Sequence, residues 1–311
     1  MARFTWMNGR LVAEEDAVVP FLTAGLHYGI GVFEGIRCYD GPQGPAIFRL
    51  RDHLRRLTAS ARILGWRELP YDEEMLATAI HETIRVNDLR ACYIRPLIYL
   101  GDGGMNLSLD SGHAHVGIAA WAWTEYHGGQ TNEDGIRVNV SSYTRHHPNI
   151  MPTRAKAAGN YVNSVVAKTE SGRLGFDDAV LLDPDGYVAE CTGQNLFVVT
   201  DGRILTPPTA GILEGITRDA VFTLARDAGL RIDQERLVRD RLYDADEVFV
   251  SGTAAEIVGV REVDFRPVGA GCVGPVTRIV QRAFQQAVRG EHPRSAEWLE
   301  PLRTASHAGN T

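Results

Sequence analysis

Apolar positions recur along the chain with a period of two in some stretches and near 3.6 in others, and the switches between them mark the elements. FTWMNGRLV alternates on either side of Asn8-Gly9, which predicts a tight hairpin. VFEGIRCY and AIFRL read as a second strand pair joined by the glycine- and proline-rich DGPQGP. Over residues 51–64, Leu54, Leu57, Ala61 and Leu64 fall on one helical face. Over 72–86, Met75, Leu76, Ala79, Ile80, Thr83 and Ile84 do the same behind acidic residues suited to a helix start. CYIRPLIYL and HVGIAAWAW return to strands, and the polar TEYHGGQTNEDG makes the best linker. Past it, IRVNVSS predicts a strand and 160–170 a helix. AVLLD, YVAE, LFVVT and ILT follow as short strands punctuated by PDG and DG turns, a spacing that predicts a meander or partly closed barrel rather than a parallel sheet. GITRDAVFTLARDAGL closes as a helix at Gly229, and EVFVSGTAAEIVGV is a strand, a sharp turn and another strand. The expected fold is therefore α/β (α+β) with an N-terminal domain over 1–123, a linker over 124–135 and a C-terminal domain over 136–311, its tail frayed after Glu300.

Strand parity turns this outline into chemistry. In CYIRPLIYL, Tyr93, Arg95, Leu97 and Tyr99 share one face, while Cys92, Ile94 and Ile98 share the other. A phenol beside a guanidinium is an awkward pair to bury without a ligand. In VFEGIRCY the same rule groups Phe33, Gly35, Arg37 and Tyr39 against Val32, Ile36 and Cys38, and a glycine inside a strand suggests close approach of a ligand or another backbone. Trp121 and Trp123 also share a face. On the residues alone, packing of these groups at a domain interface remains the alternative.

Composition excludes more than it identifies. The 311 residues suffice for two domains, and 44% hydrophobic with 23% charged residues is ordinary for a globular chain. A net charge of -7 with acids and bases interspersed argues against nucleic-acid or anionic-membrane partners. MARFTWMNGR carries no export pattern, and no stretch approaches the roughly 18 apolar residues of a membrane span, so a cytoplasmic protein is expected. Cys38, Cys92, Cys191 and Cys272 form no CxxC pair and read as free thiols. Neither HAH at 113–115 nor His146-His147 has supporting ligands at metal spacing, so no metal is expected.

Lys156 stands in MPTRAKAAGNY among Ala155, Ala157, Ala158 and Gly159, side chains too small to shade it, just ahead of a helix start at Asn160. A lysine desolvated but reachable in this way suits Schiff-base chemistry; a solvated loop lysine is the plainer alternative. Downstream, Glu190, Thr192, Asn195-Leu196-Phe197, Leu205-Thr206, Leu213, Gly215, Ile216 and Arg218 resemble the signature of the class IV aminotransferases, which bind pyridoxal 5'-phosphate in fold type IV. HYGIGVFEGIRCY, YIRPL and PTRAKAAGNY are similar to the branched-chain amino acid aminotransferases within it. The resemblance implies a two-domain fold with a pseudo-barrel of short strands in the larger C-terminal domain. It also implies transfer of the amino group of L-leucine, L-isoleucine or L-valine to 2-oxoglutarate by a ping-pong cycle. D-amino acid or (R)-amine transaminases, an aminodeoxychorismate lyase and a non-catalytic cofactor carrier are the alternatives.

By the same resemblance, Lys156 is the covalent attachment point and proton carrier, Glu190 pairs with the pyridine nitrogen and Tyr161 with the ring hydroxyl. Arg56, Ile216, Thr217 and Thr253 hold the phosphate, with Leu213 alongside. Tyr93 takes the substrate α-carboxylate and Arg95 the distal carboxylate of glutamate. Phe33, Gly35, Arg37, Trp123, Tyr126, Thr253 and Ala254 line the substrate pocket, and Tyr28 and Met105 arrive from a second subunit of a homodimer. Two departures bear on substrate range: Glu190-Cys191-Thr192-Gly193-Gln194-Asn195 replaces the more usual EGxGEN, and the 101–110 loop GDGGMNLSLD lacks the common GMG or GxNP forms.

Overall fold

A computed structural model describes residues 3–123 and 134–303. Its contacts divide the chain into two compact units, one of Met1–Thr124 with Gln286–Thr311, the other Glu125–Gln285.

In the first unit, β1 (Phe4–Met7) and β2 (Arg10–Ala13) form the expected hairpin, with Asn8 at φ 46° and Gly9 at φ 95° giving the two left-handed residues such a turn requires. After the short helix α1 (Ala24–Tyr28) come β3 (Gly31–Phe33), β4 (Ile36–Gly41) and β5 (Gly44–Phe48), then helices α2 (Leu50–Leu64) and α3 (Glu73–Val86), then β6 (Cys92–Leu100) and β7 (Ala114–Ala122). The helices bury Leu54, Leu57, Ala61, Leu76, Ile80 and Ile84 against the sheet; Asp72 caps α3 by accepting from the Met75 N–H at 2.8 Å. Met75, assigned to the apolar face by periodicity, is 51% exposed, because it lies in the first turn at the margin of the packed stripe.

VFEGIRCY, expected as one strand, is two. β3 and β4 both pair with β6 in one unbroken register, Phe33 facing Leu97 and Ile36 facing Ile94. The ladder lapses between them because Pro96, opposite Glu34, accepts from the Glu34 N–H at 3.0 Å but has no N–H to return. The parity of the faces survives the gap. A second difference concerns the C-terminus: β17 (Leu299–Pro301) pairs antiparallel with β5, so the end of the 136–311 span expected in the second domain belongs to the first unit. The expected linker over 124–135 lies outside the described residues as far as residue 133.

The second unit is a nine-stranded mixed sheet. Its strands β8 (Ile136–Val140), β9 (Asp178–Leu182), β10 (Val188–Cys191), β11 (Asn195–Thr200), β12 (Arg203–Thr206), β13 (Arg231–Gln234), β14 (Glu247–Gly252), β15 (Glu256–Val263) and β16 (Arg266–Pro267) run in the order 10-9-8-15-14-11-12-13, with β16 on β15. Hairpins supply four of the eight pairings, as the turn spacing predicts, and β11 meets β14 antiparallel, but three pairs are parallel, β8 with β9, β8 with β15 and β12 with β13. The helices α4 (Tyr161–Arg173) and α5 (Ile216–Asp227) supply two of those crossovers. Gly229 ends α5 at φ 74°. Among the described residues no helix is long and apolar enough to cross a membrane.

Candidate active site

In the second unit the Lys156 amine is half-buried and donates to Tyr161 Oη at 2.6 Å. The loop that presents it is tied down by Asn160, whose Nδ2 donates to the carbonyls of Pro152 at 2.9 Å and Ala155 at 3.3 Å; a short 3-10 turn over Ala158–Asn160 then leads into α4. Glu190 sits on β10 just past a bulge, Val188 facing Leu182 but Glu190 facing Leu181, so one extra residue re-aims the side chain. Its carboxylate is buried. Arg145 Nε lies 2.9 Å from it, and it accepts from Asn195 Nδ2 at 3.3 Å and the Leu213 N–H at 3.3 and 3.4 Å. Burial pushes the carboxyl above its ordinary range, and Arg145, the Leu213 N–H and Lys156 oppose that push.

α5 begins at Ile216-Thr217 behind Gly215, whose extended backbone caps the helix without a side-chain hydrogen bond. The first-turn N–H groups of a helix have no intrahelical acceptor and favour an anion. Thr217 is buried there, and Arg218 is anchored to the Pro207 carbonyl at 2.9 Å. Thr253 and Ala254 lie in the turn between β14 and β15.

The first unit carries the predicted aromatic and basic face. Phe33, Gly35 and Arg37 lie along β3 and β4, beside Tyr93 and Arg95 on β6, and Arg37 pairs directly with Tyr93. The Arg95 guanidinium lies 4.7 Å from the Phe33 ring centroid, and its Nη2 is 3.4 Å from Tyr93 Oη. Among the described residues its buried Nε has no hydrogen-bond acceptor. Trp121 and Trp123 lie against Tyr93 at centroid distances of 5.1 and 4.9 Å, each ring tilted by 36°. A Cβ on Gly35 would collide with Tyr93 Oη, which gives the strand glycine its reason. Tyr28 ends α1, 42% exposed, in a run of exposed Val18, Phe21, Leu22 and Leu26; Met105 lies in the 101–110 loop, also exposed. Tyr126 falls outside the described residues.

Arg56 projects from α2 onto a second buried acid that sequence reasoning missed. Glu34 is fully buried and takes Arg56 Nε at 2.6 Å, Arg56 Nη2 at 2.8 Å and His53 Nδ1 at 2.7 Å. Desolvation works to raise this carboxyl, but Arg56 and His53 overcome it and hold its pKa well below the usual carboxylate range. The signal was available, since parity places Glu34 on the face of Val32, Ile36 and Cys38, and an acid in a core stripe needs a cation. Arg145 was missed too. SSYTRHHPN has neither periodicity nor spacing that marks one arginine.

Comparison with known proteins agrees with this geometry. The amino-transferase class IV family model matches residues 31–263. The chain belongs to the class IV aminotransferases. It is 47% identical over 293 residues to a branched-chain-amino-acid aminotransferase of Pseudomonas aeruginosa, covering 94% of this chain and 95% of the relative. Against that of Escherichia coli K12 it is 46% identical over 303 residues, covering 97% and 98%. A crystal structure of the T.th. branched-chain amino acid aminotransferase with pyridoxamine 5'-phosphate superposes with a TM-score of 0.94 at 45% identity, covering 97% of this chain and 99% of the other. The mixed helix and strand content and the curled second sheet are those of this family's fold type IV, as the sequence implied.

In this class IV aminotransferase the Glu34 cluster gives a pH test. A depressed folded-state pKa means that stability from Glu34 is fully present above its ordinary value of 4.5 and is lost as pH falls through the lowered folded value. Glu34→Gln strands Arg56 and His53, so at pH 7 it should lower stability by about 3 to 5 kcal/mol. Urea unfolding should show the gap between wild type and variant closing as pH falls below 4.5. A gap independent of pH would remove Glu34's charge from the account.

Proposed function

We propose that this chain is a branched-chain-amino-acid aminotransferase, moving the amino group of L-leucine, L-isoleucine or L-valine to 2-oxoglutarate with pyridoxal 5'-phosphate as cofactor. The observation that carries this reading is the Lys156 amine held 2.6 Å from Tyr161 Oη, in a chain 45 to 47% identical to branched-chain-amino-acid aminotransferases over nearly its whole length. The residues present fit the cofactor. Glu190 is a buried carboxylate whose neutral donors stand at 3.3 to 3.4 Å, which leaves it able to accept a stronger donor such as a protonated ring nitrogen. The start of α5 offers backbone N–H groups and the Thr217 hydroxyl to a phosphate, and we assign Ile216 and Thr253 to the same anion, with Leu213 flanking the ring.

Pyridoxal phosphate, when bound, supplies the electron sink that lets a proton leave the amino acid Cα. Lys156 Nζ is the base for that proton, and its reach is set by the short, small-residue loop anchored through Asn160. Tyr161 Oη orients the amine and meets the ring hydroxyl. Glu190, through its negative charge, would favour a protonated ring nitrogen on the bound cofactor. Tyr93, on the face it shares with Gly35 and Arg37, receives the substrate α-carboxylate. Phe33, Trp123 and Tyr126 provide apolar walls for a branched side chain, whereas Arg95 meets the distal carboxylate of glutamate; its buried Nε without an acceptor supports that role. We further infer a cytoplasmic homodimer in which Tyr28 and Met105 complete the partner's pocket, supported by the exposed apolar run over 18–28.

Lys156→Ala should abolish leucine-dependent turnover, and borohydride treatment followed by mass spectrometry should find no cofactor attached to the chain. Attachment at another lysine would remove Lys156 from its role. Arg95→Ala should impair the half-reaction with glutamate about ten- to hundredfold more than that with leucine, since a charge-assisted contact contributes about 1.5 to 3 kcal/mol. Equal losses would make Arg95 structural. For the dimer, Lys156→Ala subunits mixed with a Tyr28→Ala, Met105→Ala double variant should regain activity through hybrid dimers that hold one intact site. No recovery despite subunit exchange verified by mass would leave each chain self-sufficient.

A further inference from the structure

Arg145 lies outside every motif of the sequence and yet makes the shortest contact to Glu190. It is 7% exposed, and its Nε stands 2.9 Å from Glu190 Oε1. The Nε–H makes no formed hydrogen bond, so through Nε the contact is an ion pair. The loop that carries it is locked in place. The Arg145 N–H donates to the Leu182 carbonyl at the end of β9 at 2.7 Å, and Asn163 Nδ2 of α4 donates to the neighbouring Thr144 carbonyl at 2.9 Å. Glu170, on the same helix, takes Ser141 Oγ at 2.7 Å and the Ser142 N–H at 3.0 Å. α4 is the helix that begins right after the Lys156 loop, so one rigid element fixes both the amine and the loop that bears the guanidinium.

We propose that Arg145 is the positioning residue that keeps Glu190 ionised and aimed, and so sets the charge that the cofactor's ring nitrogen meets. This rests on the assignment of Glu190 to that nitrogen. The physical case is one of relative strengths. A carboxylate without water must be paired or it takes up a proton, and the Asn195 and Leu213 donors are neutral and long at 3.3 to 3.4 Å. Other charged or titratable groups face it: Lys156; Arg218 of α5, whose own pKa burial lowers while Glu190 opposes; and Cys191, whose thiol burial pushes well up. Lys156 is committed to the reacting centre and Arg218 to the Pro207 carbonyl, which leaves Arg145 as the cation dedicated to Glu190.

The test reads Glu190 directly in cofactor-free protein. With glutamate carboxyls labelled by carbon-13 and Glu190 assigned by difference from Glu190→Gln, the wild-type signal should stay that of a carboxylate from pH 6 to 9, taken as about the working range. In Arg145→Met its titration midpoint should rise by about one pH unit or more, and in Arg145→Lys most of that rise should be reversed, since the lysine restores the charge. Cofactor affinity of Arg145→Met, measured by fluorescence titration, should fall about tenfold or more. Should Arg145→Met fold poorly, the Arg145→Met, Glu190→Gln double variant removes both partners. It should be more stable than Arg145→Met alone, giving a favourable coupling in urea unfolding. An unchanged Glu190 midpoint in folded Arg145→Met, or a coupling of zero in the cycle, would overturn the proposal. Neither readout depends on turnover, so a failure here is distinguishable from an error in the substrate assignment.

Discussion

A carboxylate removed from water costs several kcal/mol unless a cation and hydrogen-bond donors replace its hydration, and each unit of this chain is organised around one such group. In the first unit Glu34 is sealed into the apolar face between Val32 and Ile36 and is answered by Arg56 and His53 from α2. In the second, Glu190 is answered by Arg145, Asn195 and the Leu213 N–H. The two solutions differ in strength. Glu34 has two contacts under 2.8 Å and a pKa held low, whereas the neighbours of Glu190 only partly offset its burial. The first is a structural tie between strand and helix. The second is a carboxylate with one close cation and neutral donors that are long, at 3.3 to 3.4 Å.

Register carries the aromatic and basic face of the first unit. Because β3 and β4 keep one register on β6 across the Pro96 gap, Phe33, Gly35 and Arg37 remain on the side of Tyr93 and Arg95, and Val32, Glu34, Ile36 and Cys38 on the core side. A slip of one residue would exchange the two sets entirely. Pro96 removes a single ladder hydrogen bond, while Gly35 removes the side chain that would otherwise displace the Tyr93 hydroxyl. Gly35 thus leaves the room that the Tyr93 phenol occupies on the surface it shares with Arg95.

In the second unit, preorganisation comes from ties between loops and helices. Asn160 pins the Lys156 loop from within, and Asn163 and Glu170 pin the loop before it, so α4 serves as a common reference for amine and guanidinium. A bulge in β10 turns Glu190 toward them. Fixing these groups before any ligand arrives spares the reaction the reorganisation that flexible side chains would impose.

Hairpins, the helical stripes of α2 and α3 and strand parity in CYIRPLIYL were legible in the sequence, because each depends on interactions between residues close in the chain or on a pattern with a fixed period; Lys156, Tyr161 and Glu190 were singled out by resemblance to a family signature. The splitting of VFEGIRCY was not, since it depends on a proline in a strand about sixty residues away in the chain. The return of Leu299–Pro301 to the first sheet, the parallel pairings of the second and the exposure of Met75 likewise follow from which distant surfaces meet. Glu34 could have been suspected as an acid in an apolar stripe, but its partners could not. Arg145 carried no local signal at all. Its place beside Glu190 arises only when β8, β9 and β10 lie side by side, since the pairing of a buried charge is a property of three-dimensional neighbours rather than of sequence neighbours.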